Sequence, residues 1–243
     1  MMQNIAAAVL AGGQGTRMGK DLPKQFLPIG GRPVLVHTLE AFLACSEIDP
    51  VLVVTPAEWI SYTQELLAQA FASEPRLVVI QGGSDRSESL MQAIRWLSEN
   101  EQLQEETILV SHDAVRPFVT PEVIAENIRV AKLEGAVMTV VPATDTIISS
   151  EDGHWISTVP DRRKMFQMQT PQTFHAAGFA RCYQSLDDEA RKRVTDASGV
   201  LMACGIPVAM VEGLKENLKI TYPEDLHYAN WRLDREREGI KGC

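Results

Sequence analysis

Short runs rich in valine, isoleucine and leucine alternate along this chain with longer stretches of helical periodicity, and this alternation limits the possible folds more than any other feature. Such a pattern is typical of a mainly parallel sheet whose strands are joined by crossover helices. We therefore predict an α/β fold with such a sheet flanked by helices, as a single domain over residues 1–243. The expected strands are 5–10, 51–55, 77–80, 107–111, 136–141 and 208–211.

Three longer stretches place apolar residues on one helical face. The first follows Pro33, a residue favoured in the first turn of a helix, and carries Leu35 and Leu39 at helical spacing. The stretches 90–97 and 124–131 repeat this spacing, and the second follows a "TPE" start signal. We expect these helices to cover the sheet.

Residues 142–164 interrupt this alternation. They are polar, lack helical periodicity and contain Asp152-Gly153, a turn signal between two β-prone runs. Since an isolated two-stranded hairpin is marginally stable in water, this one should pack on something else, most simply a second copy of the chain. We predict a protruding β-hairpin arm over 142–164 that holds a homodimer together.

The first expected strand runs into "LAGGQGTRMGK" (residues 10–20), a glycine-rich loop with cations close behind it. A Walker A loop is excluded, because the residue five before Gly19 is Gln14 and Lys20 is followed by Asp21. A dinucleotide fingerprint is excluded because position 18 is methionine, so no nicotinamide cofactor is expected. The loop remains able to hold an anion on its backbone N–H groups, or else to serve only as a tight turn.

Charge and cysteine usage exclude several classes of protein. The chain has 23 Lys and Arg against 32 Asp and Glu, and this net charge of −9 does not favour a nucleic-acid partner. Nothing reaches the roughly 18–20 consecutive apolar residues of a membrane span, and no leader pattern is visible, so we expect a cytoplasmic protein. The cysteines lack the spacing of zinc ligands or of a disulfide framework. They are Cys45, Cys182, Cys204 and Cys243.

Several motifs together resemble the nucleotidyltransferases of the nucleotide-sugar pyrophosphorylase type. "LAGGQGTRMG" and "PKQFLPIGGRPVLVHTLEAF" carry the resemblance first, and it continues in order to "ENLKIT" at 216–221. It implies a Rossmann-like fold of the nucleotide-diphospho-sugar transferase type and, more narrowly, a cytidylyltransferase acting on a small polyol phosphate. The motifs between are "QGGSDRSES" (81–89), "HDAVRPF" (112–118), "DTI" (145–147), "MQTPQTF" (168–174) and "TDA" (195–197).

Two related families compete. The 2-C-methyl-D-erythritol 4-phosphate cytidylyltransferases usually have Pro-Ala-Ala-Gly in the first loop and His-Asp-Ala-Ala-Arg-Pro later, whereas this chain has "LAGG" and "HDAVRPF". These elements and "DGHWIS" in the arm are more similar to the D-ribitol 5-phosphate cytidylyltransferases, although Ala114 replaces their typical serine. We therefore predict CDP-ribitol and pyrophosphate as products, which would imply a role in teichoic acid synthesis for the cell wall.

The implied reaction is attack of a substrate phosphate oxygen on the α-phosphorus of CTP. Because the attacking group is already an anion near neutral pH, catalysis should consist mainly of positioning and charge stabilisation. Lys20 is expected to matter least among the cations near the first loop. An arm arginine, Arg162 or its neighbour Arg163, would complete the site of the other subunit. The resemblance nominates as catalytic Arg17, Lys24, Arg162 and Lys219.

The resemblance also implies the residues that bind the nucleotide. The segment 82–89 would bind the base, with the Ser89 hydroxyl at its edge, while a helix N-cap role for Ser87 or Ser89 is the alternative. The nucleotide-binding residues are expected to be Leu10, Ala11, Gly12, Gly13, Gly15, Gly82, Gly83, Ser84, Asp85, Arg86, Ser89 and Asp113.

The acceptor and a divalent cation complete the expected site. Mg²⁺ is normally held by one or two carboxylates with substrate phosphates and water, so Asp113, helped by Asn217, would suffice. Arg116 can meet the acceptor phosphate as a bidentate donor. The further acceptor residues nominated are Asp145, Thr146, Thr170 and Thr195.

Two other functions remain open at this stage. One is the methylerythritol phosphate cytidylyltransferase of isoprenoid synthesis, and the other is a catalytically silent nucleotide-binding regulator on the same fold. Fold alone does not separate them, because function depends on the site. The intact set of cations favours an enzyme.

Overall fold

A central sheet organises the chain in the computed structural model, which describes residues 4–13, 22–72 and 74–238. The strands are β1 (Ile5–Leu10), β2 (Pro28–Ile29), β3 (Arg32–Pro33), β4 (Val51–Thr55), β5 (Leu77–Gln81), β6 (Ile108–Asp113), β7 (Ala136–Pro142), β8 (Phe166–His175) and β9 (Ala209–Glu212). The helices are α1 (Val34–Leu43), α2 (Ile60–Phe71), α3 (Arg86–Glu99), α4 (Pro121–Glu134), α5 (Ala176–Ser185), α6 (Asp188–Arg193), α7 (Ala197–Ala203) and α8 (Pro223–Arg237).

The large sheet has the strand order β5-β4-β1-β6-β8-β7-β9, and β2 pairs with β3 in a separate hairpin. Every pairing in the large sheet is parallel except those of β8, which is antiparallel to both β6 and β7. The prediction of a mainly parallel sheet flanked by helices is therefore confirmed. The bounds of β1 and β4 match the prediction, and the other four expected strands are shifted or lengthened by one or two residues.

Alternating side chains of the buried strands form a core on each face of the sheet. Ala7 and Val9 of β1 pack with α1 and α4 on one face. Ala6 and Ala8 pack with α3 and α5 on the other. The small alanines of the central strand let helices lie close to both faces, which fixes the ends of the strands relative to one another.

The strand β8 is absent from the sequence prediction. Its sequence "FQMQTPQTFH" contains Pro171 and many polar residues, both unusual in a central strand. Gln169, Thr170 and Gln172 are buried, and their side chains are hydrogen-bonded. Thr139 Oγ1 of β7 also donates to the Pro171 carbonyl at 2.8 Å. A register shift in β7 between Met138 and Val140 accommodates this local pairing. The prediction relied on runs of apolar residues, and it missed β8 because buried polar residues form much of this strand.

The arm predicted over 142–164 lies between β7 and β8, so the chain does reverse there. Within the described residues, however, the two sides of the arm pair through a single isolated β-bridge, between Ser149 and Thr158, and form no continuous ladder. The turn is held by Asp152, whose Oδ1 accepts from the N–H groups of His154 and Trp155 at 2.8 and 2.9 Å. The arm is consequently a largely irregular excursion with a capped tip rather than a regular hairpin.

Candidate active site

A cavity of about 300 Å³ opens at the carboxyl ends of β1 and β6, where open α/β sheets bind their ligands. Eleven of the residues named from the sequence line it: Leu10, Gly12, Gly13, Lys24, Gly83, Ser84, Asp85, Arg86, Ser89, Asp113 and Lys219. Gln25 and Val115, which the sequence prediction does not include, line it as well. Residues far apart in the chain thus converge on one site.

The turn before α3 forms one wall of the cavity. Asp85 is the N-cap of α3, with its side chain accepting from the Glu88 N–H at 2.8 Å, so the alternative of a Ser87 or Ser89 cap is wrong. The Ser89 hydroxyl instead accepts from the Gly83 N–H at 3.1 Å and closes the turn. A Cβ on Gly83 would lie 2.7 Å from the Glu88 carbonyl carbon, so this position requires glycine.

We expect Gly83→Ala to destabilise the fold by about 1–3 kcal/mol, because the added methyl group overpacks against the Glu88 backbone. The same displacement should weaken nucleotide binding, since Gly83 lines the cavity. Urea unfolding and calorimetric titration with CTP measure the two effects. Gly178→Ala is the matched control, because its new Cβ would meet the His175 Cβ at an ordinary 3.8 Å. Equal stability of the two variants would contradict the overpacking argument.

The opposite wall is the short helical turn Lys24–Phe26. Lys24 Nζ donates to the Ile220 carbonyl at 3.0 Å, and its Cε lies 3.5 Å from where a Cβ on Gly13 would be. Gln25 is buried, and its Nε2 donates to the Ala11 carbonyl at 2.6 Å. Gln25 therefore fixes the start of the first loop against the turn that carries Lys24.

Asp113 is the last residue of β6 and lies among three cations. Its Oδ1 pairs with Arg86, and its Oδ2 lies 2.9 Å from Lys219 Nζ and 3.6 Å from Arg116 Nε. Burial raises the pKa of this carboxyl, but the attraction of Arg86 and Lys219 outweighs burial and holds the pKa well below its usual range. Asp113 is thus an ionised carboxylate at the centre of a cationic site.

A fully buried histidine supports Asp113 from behind. The Asp113 N–H donates to Thr170 Oγ1 at 3.2 Å, and this oxygen lies 2.9 Å from His112 Nδ1. His112 Nε2 lies 3.2 Å from the Arg116 carbonyl, an acceptor, so the proton is on Nε2 and Nδ1 accepts from Thr170. Burial lowers the pKa of His112 to about 3, which keeps this neutral form at neutral pH.

This shift makes the free energy of unfolding depend on pH. The folded-state pKa of His112 lies below the ordinary value of 6.5, so the unfolded chain binds one more proton between these values. The contribution of neutral His112 to the free energy of unfolding is complete above about pH 6.5 and is lost as the pH falls towards 3. Between pH 7 and pH 5 this histidine should cost about 2 kcal/mol.

Urea unfolding at both pH values, with His112→Gln as the comparison, measures this cost. The glutamine can still donate to the Arg116 carbonyl and does not titrate. We expect the native chain to lose about 2 kcal/mol more than the variant on acidification. Equal losses would show that His112 is not kept neutral by burial.

Arg116 and Asn217 lie behind the cavity rather than in its lining. Arg116 Nη1 donates to the Asn217 carbonyl at 2.7 Å, and burial lowers the pKa of its guanidinium. Asn217 is fully buried, and its Nδ2 donates to the Thr170 carbonyl at 2.8 Å. Their predicted roles with the acceptor phosphate and the metal therefore stay predictions, as does that of Thr170.

Other predicted residues are not brought to the cavity in this chain. Asp145, Thr146 and Thr195 are exposed and do not line it. Arg162 lies at the base of the arm, where its Nη1 donates to the Thr144 carbonyl at 3.0 Å. Gly15 and Arg17, together with Lys20, lie outside the described residues. Ala11 and Gly82 adjoin lining residues without lining the cavity themselves.

The chain matches the family model of the 2-C-methyl-D-erythritol 4-phosphate cytidylyltransferases, IspD, over residues 5–235. The chain belongs to this family. Solved structures of IspD-type enzymes are similar to this chain over nearly its whole length. The 4-diphosphocytidyl-2C-methyl-D-erythritol synthase of Anaerococcus prevotii is 26% identical over 96% of this chain and 97% of its own, with a TM-score of 0.78.

Two further IspD structures are similar. The cytidylyltransferase of Francisella tularensis is 26% identical over 95% of this chain and all of its own, with a TM-score of 0.78. That of Thermus thermophilus is 28% identical over 96% of this chain and all of its own, with a TM-score of 0.69. As an IspD-family member the chain is a nucleotidyltransferase, which leaves the regulator alternative without support.

Two kinds of feature are absent from the described residues. Among residues 4–13, 22–72 and 74–238, no group of three or more His, Cys, Asp or Glu is placed to hold a metal ion. Within the same ranges, no helix has the length and apolar character needed to cross a membrane.

Sequence reasoning did not identify Gln25, Val115 or the support from His112. Gln25 and Val115 lie inside two motifs of the resemblance, "PKQF" and "HDAVRPF". The motifs were therefore recognised, but no spacing rule assigned a role to these two positions. His112 adjoins Asp113 and could have been found by asking what holds the turn after β6.

Proposed function

We propose that this IspD-family chain transfers the cytidylyl group of CTP to a small polyol phosphate and releases pyrophosphate. The observation that carries the proposal is Asp113 in its cluster of cations beside the glycine loop, inside a cavity at the carboxyl end of the sheet. Such a site suits two anionic substrates whose phosphates must approach each other.

The residues of the chain bind and orient the phosphates. Lys24 and the backbone of Gly12 and Gly13 hold the triphosphate, and the predicted Arg17 joins them. Lys219 faces the reacting phosphates from the Asp113 side and stabilises charge as it develops on the α-phosphate. The acceptor phosphate is the nucleophile, so no side chain needs to form a covalent intermediate.

Asp113 also fits a divalent cation. It is an ionised carboxylate that lines the cavity, and hard cations such as Mg²⁺ prefer such oxygen donors together with substrate phosphates. When bound, Mg²⁺ would neutralise charge on the phosphates. Since both oxygens of Asp113 contact cationic side chains, the ion would share the carboxylate with Arg86 and Lys219 or exchange with them.

The acceptor has two candidates. The family model and the names of the similar structures favour 2-C-methyl-D-erythritol 4-phosphate, which we take as the first candidate. D-ribitol 5-phosphate, the acceptor predicted from the sequence, is the second, because "LAGG" and Val115 depart from the usual methylerythritol pattern and Val115 lines the cavity. Both acceptors bring one phosphate and several hydroxyl groups.

Pyrophosphate release from CTP and Mg²⁺ tests the proposal with each acceptor separately and with none. Activity with only one acceptor identifies the substrate, and activity with neither contradicts the proposed function. Omission of the acceptor controls for CTP hydrolysis. We also propose that the reaction takes place in the cytoplasm, because the spacing of the cysteines does not indicate a disulfide framework.

We also propose that the arm joins two copies of the chain. Ile148, Trp155, Ile156 and Val159 of the arm are exposed by half or more, which is unusual for four apolar side chains in one segment. A second copy would cover them and would bring Arg162 to the other subunit's cavity.

We expect Trp155→Asp to give a monomer in light-scattering measurements, because the carboxylate would be buried in the contact. Leu133→Asp is the control, since Leu133 is equally exposed (71% against 72%) but lies on α4.

Mixing the inactive Arg162→Ala and Lys219→Ala chains tests the shared site. Mixed dimers contain one native site only if Arg162 crosses, so a failure to regain activity would contradict the crossing.

A further inference from the structure

The segment 213–220 has no regular secondary structure, yet it carries one cation of the site and contacts two others. Lys219 belongs to it and pairs with Asp113. The Asn217 carbonyl accepts from Arg116, and the Ile220 carbonyl accepts from Lys24 Nζ. The position of this segment therefore determines where the positive charge of the site lies.

Two side-chain amides attach this segment to β8. Gln169 Nε2 donates to the Leu214 carbonyl at 2.8 Å, and Gln169 Oε1 accepts from Asn217 Nδ2 at 3.2 Å. Asn217 Nδ2 also donates to the Thr170 carbonyl at 2.8 Å. Because the segment has no ladder of its own, these buried bonds take the place of strand pairing.

A glycine leaves the space that this arrangement needs. A Cβ on Gly213 would lie 2.5 Å from Gln169 Oε1 and 2.6 Å from Thr139 Cγ2. Both distances are shorter than real Cβ contacts allow. The Gln169 amide therefore occupies the volume of the missing side chain.

We propose that Gln169 and Asn217 form an amide clamp that positions Lys219, Lys24 and Arg116 for the transfer reaction. The inference rests on the proposed function for its catalytic consequence. Asn217 acts here as a positioning residue: it is fully buried, and its amide nitrogen donates to Gln169 Oε1 and to the Thr170 carbonyl. Gln169 is the partner that the sequence prediction does not contain.

Gln169→Ala tests the clamp directly. Loss of its two bonds should let the segment shift, and a displacement of about 1 Å in a catalytic group costs about 10²-fold in rate. We therefore expect kcat to fall by about 10²-fold. Gln169→Glu is a second variant of nearly equal shape, which keeps an oxygen for Asn217 Nδ2 and removes the donor to Leu214.

Asn127→Ala is the matched structural control. Asn127 is fully buried like Asn217, and its Nδ2 makes two bonds of 2.9 Å, to the Val123 carbonyl and Thr139 Oγ1. We expect it to lower the unfolding midpoint as Gln169→Ala does while leaving kcat close to native. A loss of kcat as large as that of Gln169→Ala would show that general destabilisation is enough, and would overturn the clamp.

Asn217→Asp separates a clamp from a metal ligand. A clamp loses its donor, so kcat falls and the half-saturating Mg²⁺ concentration stays unchanged. A ligand gains a carboxylate, so Mg²⁺ should bind more tightly, as measured by calorimetric titration of the enzyme–CTP complex with Mg²⁺. Retained kcat with tighter Mg²⁺ binding would overturn the proposal.

Amine-reactive labelling followed by mass spectrometry gives a readout independent of activity. In Gln169→Ala the labelling of Lys219 should rise, because its pairing with Asp113 is loosened. Labelling of Lys132 should not change, since its 2.9 Å pair with Glu47 lies elsewhere. Unchanged labelling of Lys219 would overturn the clamp. A native enzyme that releases no pyrophosphate would instead contradict the proposed function and leave the labelling result intact.

Discussion

Asp113→Asn should abolish measurable cytidylyl transfer, with a fall of about 10³-fold or more in kcat. The substitution keeps the shape of the side chain and removes the charge that holds Arg86 and Lys219 in place. It also removes the carboxylate that a Mg²⁺ ion would use. Because the pKa of Asp113 lies well below its usual range, the native carboxylate is ionised throughout the pH range of any such assay.

The same substitution should lower the free energy of unfolding by about 3 kcal/mol, because it leaves buried positive charge without its partner. Urea unfolding and a pyrophosphate assay on one preparation measure both effects. Glu126→Gln is the control, since its exposed pair with Arg129 should contribute no more than about 1 kcal/mol. An Asp113→Asn chain that turned over at the native rate would remove Asp113 from the mechanism.

Lys219→Met should lower kcat by about 10²–10³-fold while changing stability little. The methionine keeps most of the aliphatic stem, and the native side chain is 45% exposed, so little packing is lost. What disappears is the cation that we propose faces the reacting phosphates. Single-turnover measurements with saturating CTP isolate this loss from effects on nucleotide binding.

Lys132→Met provides the matched control for Lys219→Met. Lys132 forms an ion pair of the same 2.9 Å length and is 37% exposed, but lies far from the cavity. We expect it to keep the native kcat. Lys219→Arg should recover only part of the activity, because the planar guanidinium does not reproduce the position of the ammonium. Native activity in Lys219→Met would assign the charge stabilisation to other residues.

The sequence alone was sufficient to predict the features that depend on hydrophobic periodicity and on the spacing of glycines. The bounds of β1 and β4 were predicted because buried parallel strands are continuous apolar runs with clear ends. The anion-binding role of the loop at Gly12 could be inferred because the loop follows such a strand, whereas the site residues near Gly83 came from the resemblance. Asp113 could be named because it follows a strand that reaches the same edge.

The rest could not be predicted because it depends on partners far along the chain. Nothing around Gln169 indicates that its amide bonds with Asn217, 48 residues later. The antiparallel strand β8 is hidden by polar residues whose burial is stabilised only by the assembled network. Lys219 came from the resemblance alone, since an isolated lysine in an irregular segment has no periodicity to mark it.

The position of β8 has a consequence for the order in which the chain can fold during synthesis. Residues up to Asp113 supply β5, β4, β1 and β6, but the open edge of β6 has no neighbour until β8 has been made. The strand β7 is made earlier than β8 and has neither β8 nor β9 to pair with at that time. A ribosome-bound or truncated chain that ends at Pro142 thus exposes unpaired strand edges, which makes it prone to aggregation. The polar strand that places Thr170 beside Asp113 is also the one whose arrival closes the sheet.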